Sequence, residues 1–174
     1  LGLIKQLTEG LLLQAFVEAQ KWPRTLTLAV NVTSLMLESS DFPEWLERLA
    51  RRGNFPLSHL EVEVTENALV ANTSNARLNL DRLRGIGVTV ALDDFGTGYS
   101  GLYHLTQLAV DKIKIDRSFF TESLCNESEM AKAILALGKS LSMQITAEGV
   151  EHEHLADWLA QHECDFAQGY LFGK

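Results

Sequence analysis

The 174-residue sequence predicts an α/β fold, a TIM-like (β/α) barrel incomplete at its N-terminal side. Three observations lead there. Strand-like runs alternate with helix-like runs, which implies a parallel sheet. Each strand-like run is aliphatic on one face and small or polar on the other, whereas an open doubly wound sheet needs both faces apolar. The polar rows end in Asn31, Glu63, Asp93, Lys114 and Glu148, near the C-terminal ends of their strands. Barrel enzymes place their catalytic groups there.

The elements follow from spacing. Leu3 to Trp22 reads as a helix, with Ile4, Leu7, Leu11, Phe16 and Trp22 along it. Strand 26–33 sets Leu26, Leu28, Val30 and Val32 against Thr27, Ala29, Asn31 and Thr33. A helix over 43–52 leads to strand 60–65, where the valines oppose Glu61, Glu63 and Thr65. A helix over 75–85 precedes strand 88–93, where Val88, Val90 and Leu92 oppose Thr89, Ala91 and Asp93. Then come helix 101–107, strand 112–115 with Ile113 and Ile115 opposing Lys112 and Lys114, and a long helix over 128–140. Strand 143–147, helix 155–162 and a short strand near 165–168 close the chain. A closed eight-stranded barrel takes about 250 residues. Six strand candidates therefore suggest a barrel lacking one edge, and the absent strands are expected before Leu1.

Composition narrows the function. At 46% hydrophobic and 22% charged residues, this is one ordinary globular domain, with no linker or low-complexity tract. A formal net charge of -8 argues against a basic face for DNA or RNA polymers. An acidic protein that handles a phosphate ester needs metal ions or local cations. No apolar run is long enough to span a bilayer. The first residues, with Lys5 and Glu9, do not form a signal peptide, so a cytoplasmic location is expected, with membrane anchoring of a full-length protein left open. Cys125 and Cys164 form no C-x-x-C and read as idle thiols.

Residues 91–101, ALDDFGTGYSG, contain a formal G-x-G-x-x-G after a strand, and Asp116 stands where a ribose-binding acid would. Asp93 and Asp94 speak against a dinucleotide turn. Like charges about 4 Å apart repel by roughly 1 kcal/mol in water and about 4 kcal/mol near a surface. Asp94-Phe95-Gly96 also matches a kinase triplet, but no H-R-D loop accompanies it. A metal site explains the acids better. Carboxylates with one Asn are hard oxygen ligands suited to Mg²⁺ or Mn²⁺, and Asp93 with Asp94 could hold two neighbouring ions. Solvated strand ends are the plainer reading of each acid taken singly. Lys114 could pair with Asp116 or Glu148, orient a hydroxide, or form a Schiff base. Glu151-His152-Glu153-His154 is not H-E-x-x-H and reads as a solvated helix start, though Glu151 sits close to Glu148.

Taken together, several stretches resemble the EAL-type cyclic-di-GMP phosphodiesterases of bacterial signalling. They are Asn31-Val32-Thr33-Ser34, Glu63-Val64-Thr65-Glu66, Asp93 through Ser100, Lys114-Ile115-Asp116-Arg117-Ser118-Phe119, Ala147-Glu148-Gly149-Val150-Glu151 and Gln168-Gly169-Tyr170. The resemblance implies hydrolysis of cyclic di-GMP to pGpG, and the all-oxygen ligand set suits two Mg²⁺ or Mn²⁺ ions; Ca²⁺, with its longer and looser coordination, is expected to bind but inhibit. The resemblance also implies Asn31, Glu63, Asp93, Asp94 and Glu148 as metal ligands, with Asp93 and Glu148 catalytic alongside Lys114, which positions the attacking water. Glu66 would anchor the loop after Asp94. Gln168 would line the site, and Glu151 and Asp116 would support it. The Glu-Ala-Leu stretch that names the family, with its metal-ligand Glu and following arginine, is expected upstream of Leu1. The usual final proline and helix are expected after Lys174. Residues 1–174 thus read as one EAL-type domain truncated at both ends, inactive alone for want of that Glu. Expected partners are cyclic di-GMP, a second copy in a homodimer, and fused sensor or GGDEF-type domains. The alternatives are a non-catalytic cyclic-di-GMP receptor and an aldolase-like enzyme using Lys114.

Overall fold

The computed structural model describes residues 2–65, 68, 74–95, 110–120 and 129–173. Its contacts divide the chain into two units, Leu1–Val90 and Ala91–Lys174. The predicted helix over 101–107, Glu66, Cys125 and the glycines after Phe95 lie outside the described residues.

The first unit opens with helix α1 (Gly2–Ala19), then strand β1 (Leu28–Asn31) and short helix α2 (Ser34–Leu37). Helix α3 (Phe42–Arg52), strand β2 (Leu60–Thr65) and helix α4 (Ser74–Gly85) follow. β1 and β2 pair in parallel, Leu28 opposite Leu60 and Asn31 opposite Glu63. Leu60, Val62 and Val64 are fully buried on one face of β2, and Glu61 and Glu63 are nearly so on the other. β1 is shorter than its pattern predicts, and its Leu28 and Val30 are only half-buried. The next three residues explain the early end: Thr33 caps α2, its Oγ1 accepting from Met36 N, which turns the chain out of the strand. The sequence reading missed α2. α3 buries Phe42, Trp45, Leu46 and Leu49, the i, i+3, i+4, i+7 stripe of an amphipathic helix. It packs against α1, and Phe16 stacks on Phe55 with ring centroids 4.7 Å apart.

α4 has the same stripe in Ala76, Asn79, Leu80 and Leu83, with a polar residue in one apolar slot. Asn79 is 1% exposed, and its Nδ2 donates to Leu37 O at 2.7 Å and Ser39 O at 2.8 Å. Those bonds offset the cost of burying an amide. They also fasten the end of α2 to α4.

The second unit holds strands β3 (Thr89–Phe95, begun in the last residues of the first unit), β4 (Lys112–Ile115), β5 (Gln144–Ala147) and β6 (Phe166–Ala167). β3 pairs with β4, β4 with β5 and β5 with β6, all in parallel. Helix α5 (Glu129–Ser140) separates β4 from β5, and helix α6 (Glu153–Gln161) separates β5 from β6. α5 turns Ala131, Ile134, Leu135 and Gly138 inward. A Cβ at Gly138 would stand 2.3 Å from Ile145 Cδ1, so the helix lies directly on β5. Short parallel strands joined through helices are the β/α repeat that the alternation predicted. Among the described residues, no helix is long and apolar enough to cross a membrane.

Candidate functional site

The site of the second unit grows from one irregularity. Ala91 and Leu92 pair in step with Lys112 and Ile113, but the next pair is Phe95 with Ile115. Asp93 and Asp94 together therefore oppose Lys114. This is a β-bulge, in which two residues face one and the strand bends. Asp94 takes a φ of 54°, a left-handed conformation that Asp adopts more readily than most side chains. Strict alternation would send adjacent side chains to opposite faces. The bulge instead gathers both. One carboxylate oxygen from each of Asp93, Asp94 and Glu148 falls within 4.8 Å of the others.

Lys114 projects from β4 into this group and is 5% exposed. Its Nζ lies 2.7 Å from Glu148 Oε1 and 3.1 Å from Asp93 Oδ1. The partner is Glu148, one of the two acids the sequence offered; Asp116 turns back on its own chain, its Oδ1 accepting from Ser118 N at 2.9 Å. Hydrogen bonding from the Ser118 side chain, only partly opposed by burial, holds the Asp116 carboxyl below its ordinary range; the Ser118 and Arg117 backbone N–H groups and the Arg117 charge add to it. With two carboxylates against its Nζ, Lys114 does not face the apolar pocket a Schiff-base lysine needs.

Glu148 begins just past β5 and is fixed from three directions. Its N–H donates to Ile115 O at 3.0 Å. Its Oε1 receives Lys114 and also Gln168 Nε2 at 2.7 Å. Gln168 is held by Gln168 N to Ala147 O at 2.8 Å and Val150 N to Gln168 O at 3.0 Å. Gly169 makes this lacing possible: a Cβ there would stand 2.2 Å from Val150 O and 2.3 Å from Val150 N. The sequence reading included Gly169 in the stretch Gln168-Gly169-Tyr170 but gave it no role; its signal was its place directly after a site residue. Glu151 is exposed and lies 4.0 Å from Arg117 Nη1.

Electrostatics fit a cation. Burial raises the Asp94 pKa, and the charges of Asp93 and Asp116 raise it further against the pull of Lys114. Asp93 Oδ1 is buried and, although at ion-pair distance from Lys114, makes no hydrogen bond. The three carboxylates, with Asp93 Oδ1 among their oxygens, form an oxygen-only donor set of the kind Mg²⁺, Mn²⁺ and Ca²⁺ take.

In the first unit, Asn31 and Glu63 share one rung of the β1–β2 ladder, and Val32 N donates to Glu63 O at 2.9 Å. Asn31 is exposed and Glu63 is buried. Glu66 lies outside the described residues. His152 and His154 stack with ring centroids 5.4 Å apart, closer than residues two apart on a helix would come, because His152 is extended and only His154 is helical. They belong to no metal-ligand group among the described residues. Cys164 is partly buried and donates to Phe166 O; burial raises its thiol pKa, as suits an inert thiol.

A family model described as EAL domain matches residues 1–174. The cyclic di-GMP phosphodiesterase NbdA of Pseudomonas aeruginosa is 34% identical over 99% of this chain and 23% of its own length. A solved c-di-GMP complex of the phosphodiesterase MucR, a Pseudomonas aeruginosa protein, superposes with a TM-score of 0.90 at 34% identity, covering 99% of this chain and 72% of that one. Klebsiella pneumoniae BlrP1 has been solved with cy-diGMP and calcium or manganese. Those structures give TM-scores of 0.84 and 0.82 at 28% identity, over 96% and 95% of this chain and 43% and 44% of theirs. The chain spans 21–23% of the length of the first curated relatives it matches.

Proposed function

Because the chain belongs to the EAL domain family, a family with the TIM-like α/β barrel fold, we propose that it hydrolyses cyclic di-GMP to linear pGpG with divalent metal ions. The observation that carries this reading is the bulge that sets Asp93 and Asp94 beside Glu148, with Lys114 between Asp93 and Glu148. Asp93, Asp94 and Glu148 would hold the metal; for Asn31 and Glu63 the ligand role is proposed on the family pattern alone. When bound, a pair of Mg²⁺ or Mn²⁺ ions acidifies a water and offsets charge on the phosphate.

The chain's own residues divide the remaining work. Lys114 fixes the directions of Asp93 and Glu148 and brings a positive charge to the phosphate as negative charge builds on it. Gln168 keeps Glu148 in one rotamer, which keeps a ligand in place before substrate arrives. Asp116, tied to Ser118, stabilises the turn after β4. Cytoplasmic action, a homodimer and fusion to sensor or GGDEF-type domains complete the proposal; the multidomain relatives support the fusion.

The test is incubation of the full-length natural protein with cyclic di-GMP and Mn²⁺ or Mg²⁺, with chromatography of the product. Appearance of pGpG, abolished by chelation, is expected. Tight binding without turnover would make the protein a receptor and overturn the hydrolytic reading.

A further inference from the structure

Beyond Lys114 and the metal ions that Asp93, Asp94 and Glu148 would hold, a phosphodiester approaching the second unit meets few exposed positive charges among the described residues. Lys114 is enclosed and faces Asp93 and Glu148. Lys132 and Lys139 pair with Glu129 and Glu163 on and beside α5. Lys112 lies 4.7 Å over the Phe166 ring. Arg117 differs from all of these. It follows Asp116 directly, and its side chain is 74% exposed.

Its position is set by Gly149, the residue after Glu148. A Cβ at Gly149 would stand 2.5 Å from Arg117 Cβ, 3.3 Å from Cγ and 3.1 Å from Cδ. The aliphatic stem of Arg117 therefore lies across Gly149, which has a φ of 64° and would strain most side chains. The stem is fixed beside the backbone that carries Glu148, while the guanidinium extends into solvent. There it meets Glu151 Oε1 at 4.0 Å, and that carboxylate is 44% exposed. A single long contact between exposed groups is weak and readily exchanged. Arg, unlike Lys, presents a planar fork that matches two phosphate oxygens at once.

We propose that Arg117 is a substrate-binding residue whose guanidinium leaves Glu151 to take a phosphate of the cyclic dinucleotide. The proposal rests on the phosphodiesterase reading above. Until substrate arrives, the guanidinium lies beside Glu151 Oε1 at 4.0 Å.

The test compares wild type, Arg117→Met and Arg117→Lys in the full-length natural protein with Mn²⁺. Methionine keeps a stem on Gly149 and removes the charge, so folding is not at issue. Arg117→Met should raise KM for cyclic di-GMP about tenfold, the loss of roughly one charge-assisted hydrogen bond, and leave kcat nearly unchanged. It should also flatten the dependence of KM on salt, and Arg117→Lys should recover part of the KM. Cyclic di-AMP used as a competitor should lose affinity by the same factor, because the phosphates are shared. An unchanged KM in Arg117→Met overturns the assignment. So does a loss confined to cyclic di-GMP, which would make Arg117 a reader of guanine. If the wild type neither cleaves nor binds cyclic di-GMP, the phosphodiesterase reading fails first, an outcome distinct from either of these.

Discussion

Replacing Lys114 with methionine removes a charge at nearly constant length and leaves three acids facing one another. The size of the effect follows from the geometry. At an effective dielectric of 20, Coulomb's law gives about 6 kcal/mol of gross attraction for the 2.7 Å contact with Glu148 and about 5 kcal/mol for the 3.1 Å contact with Asp93. Desolvation of all three groups offsets much of that. Breaking a buried pair by deleting one partner costs about 3–5 kcal/mol. The side chains of Lys114, Asp93 and Glu148 keep 7%, 14% and 17% exposure, which points to the lower end of that range. At roughly 2–4 °C per kcal/mol, a loss of about 3 kcal/mol lowers Tm by about 6–12 °C. The assay is a pair of thermal melts, one in chelator and one in Mn²⁺. Without metal, Lys114→Met should melt well below wild type. With metal, part of the gap should close, because a divalent cation replaces the missing positive charge. Turnover should be lost in both conditions. If the chelated variant melts with wild type, Lys114 does not neutralise these acids and the argument fails.

Asp94→Asn keeps a side chain that tolerates the left-handed backbone. The Asp94 pKa is raised in the fold from 3.8, so the folded chain binds that proton more tightly than the unfolded one, and stability falls as pH rises through the raised value. Chelated Asp94→Asn should therefore melt above wild type at neutral pH, lose that advantage below about pH 3.8, and be inactive; equal melts at neutral pH would contradict this. Gly169→Ala should cost about 1–3 kcal/mol of overpacking against Val150, since its new methyl meets backbone and not a movable side chain, and a urea midpoint equal to wild type would contradict it. Asn79→Ala takes the side-chain donor from Leu37 O, while Ser39 O keeps Phe42 N, and should cost about 1–3 kcal/mol, read as a lower urea midpoint at constant m, whereas no shift would mean that water replaces the amide. Ca²⁺ should bind the carboxylates but stop turnover, because its longer, looser coordination spreads the ligands; full pGpG production in Ca²⁺ alone would refute a closely coupled metal site.

Much of the fold was legible because burial leaves a period in the chain. The valines of β2, the isoleucines of β4 and the stripe of α3 lie where alternation and the 3.6-residue repeat put them. The strand ends were less legible. β1 stops two residues early because Thr33 caps a helix of only four residues, too short to show a period. Asn79 broke the apolar stripe of α4, and only the carbonyls it meets explain why.

The sequence by itself determined the chemistry on offer: which acids, which lysine, and which strand ends carry them. It could do so because residue type and alternation are local properties. The tertiary structure decided which of those groups meet. Alternation alone parts Asp93 from Asp94, and nothing in the order of residues states that β3 slips against β4 so that both oppose Lys114. Nor does it choose Glu148 over Asp116 as the partner of Lys114, a choice made when Ser118 takes Asp116 and Ile115 O takes the Glu148 amide. Register and hydrogen-bond partners are relations between distant segments. They come into being only when the strands pair, so no single segment can encode them alone.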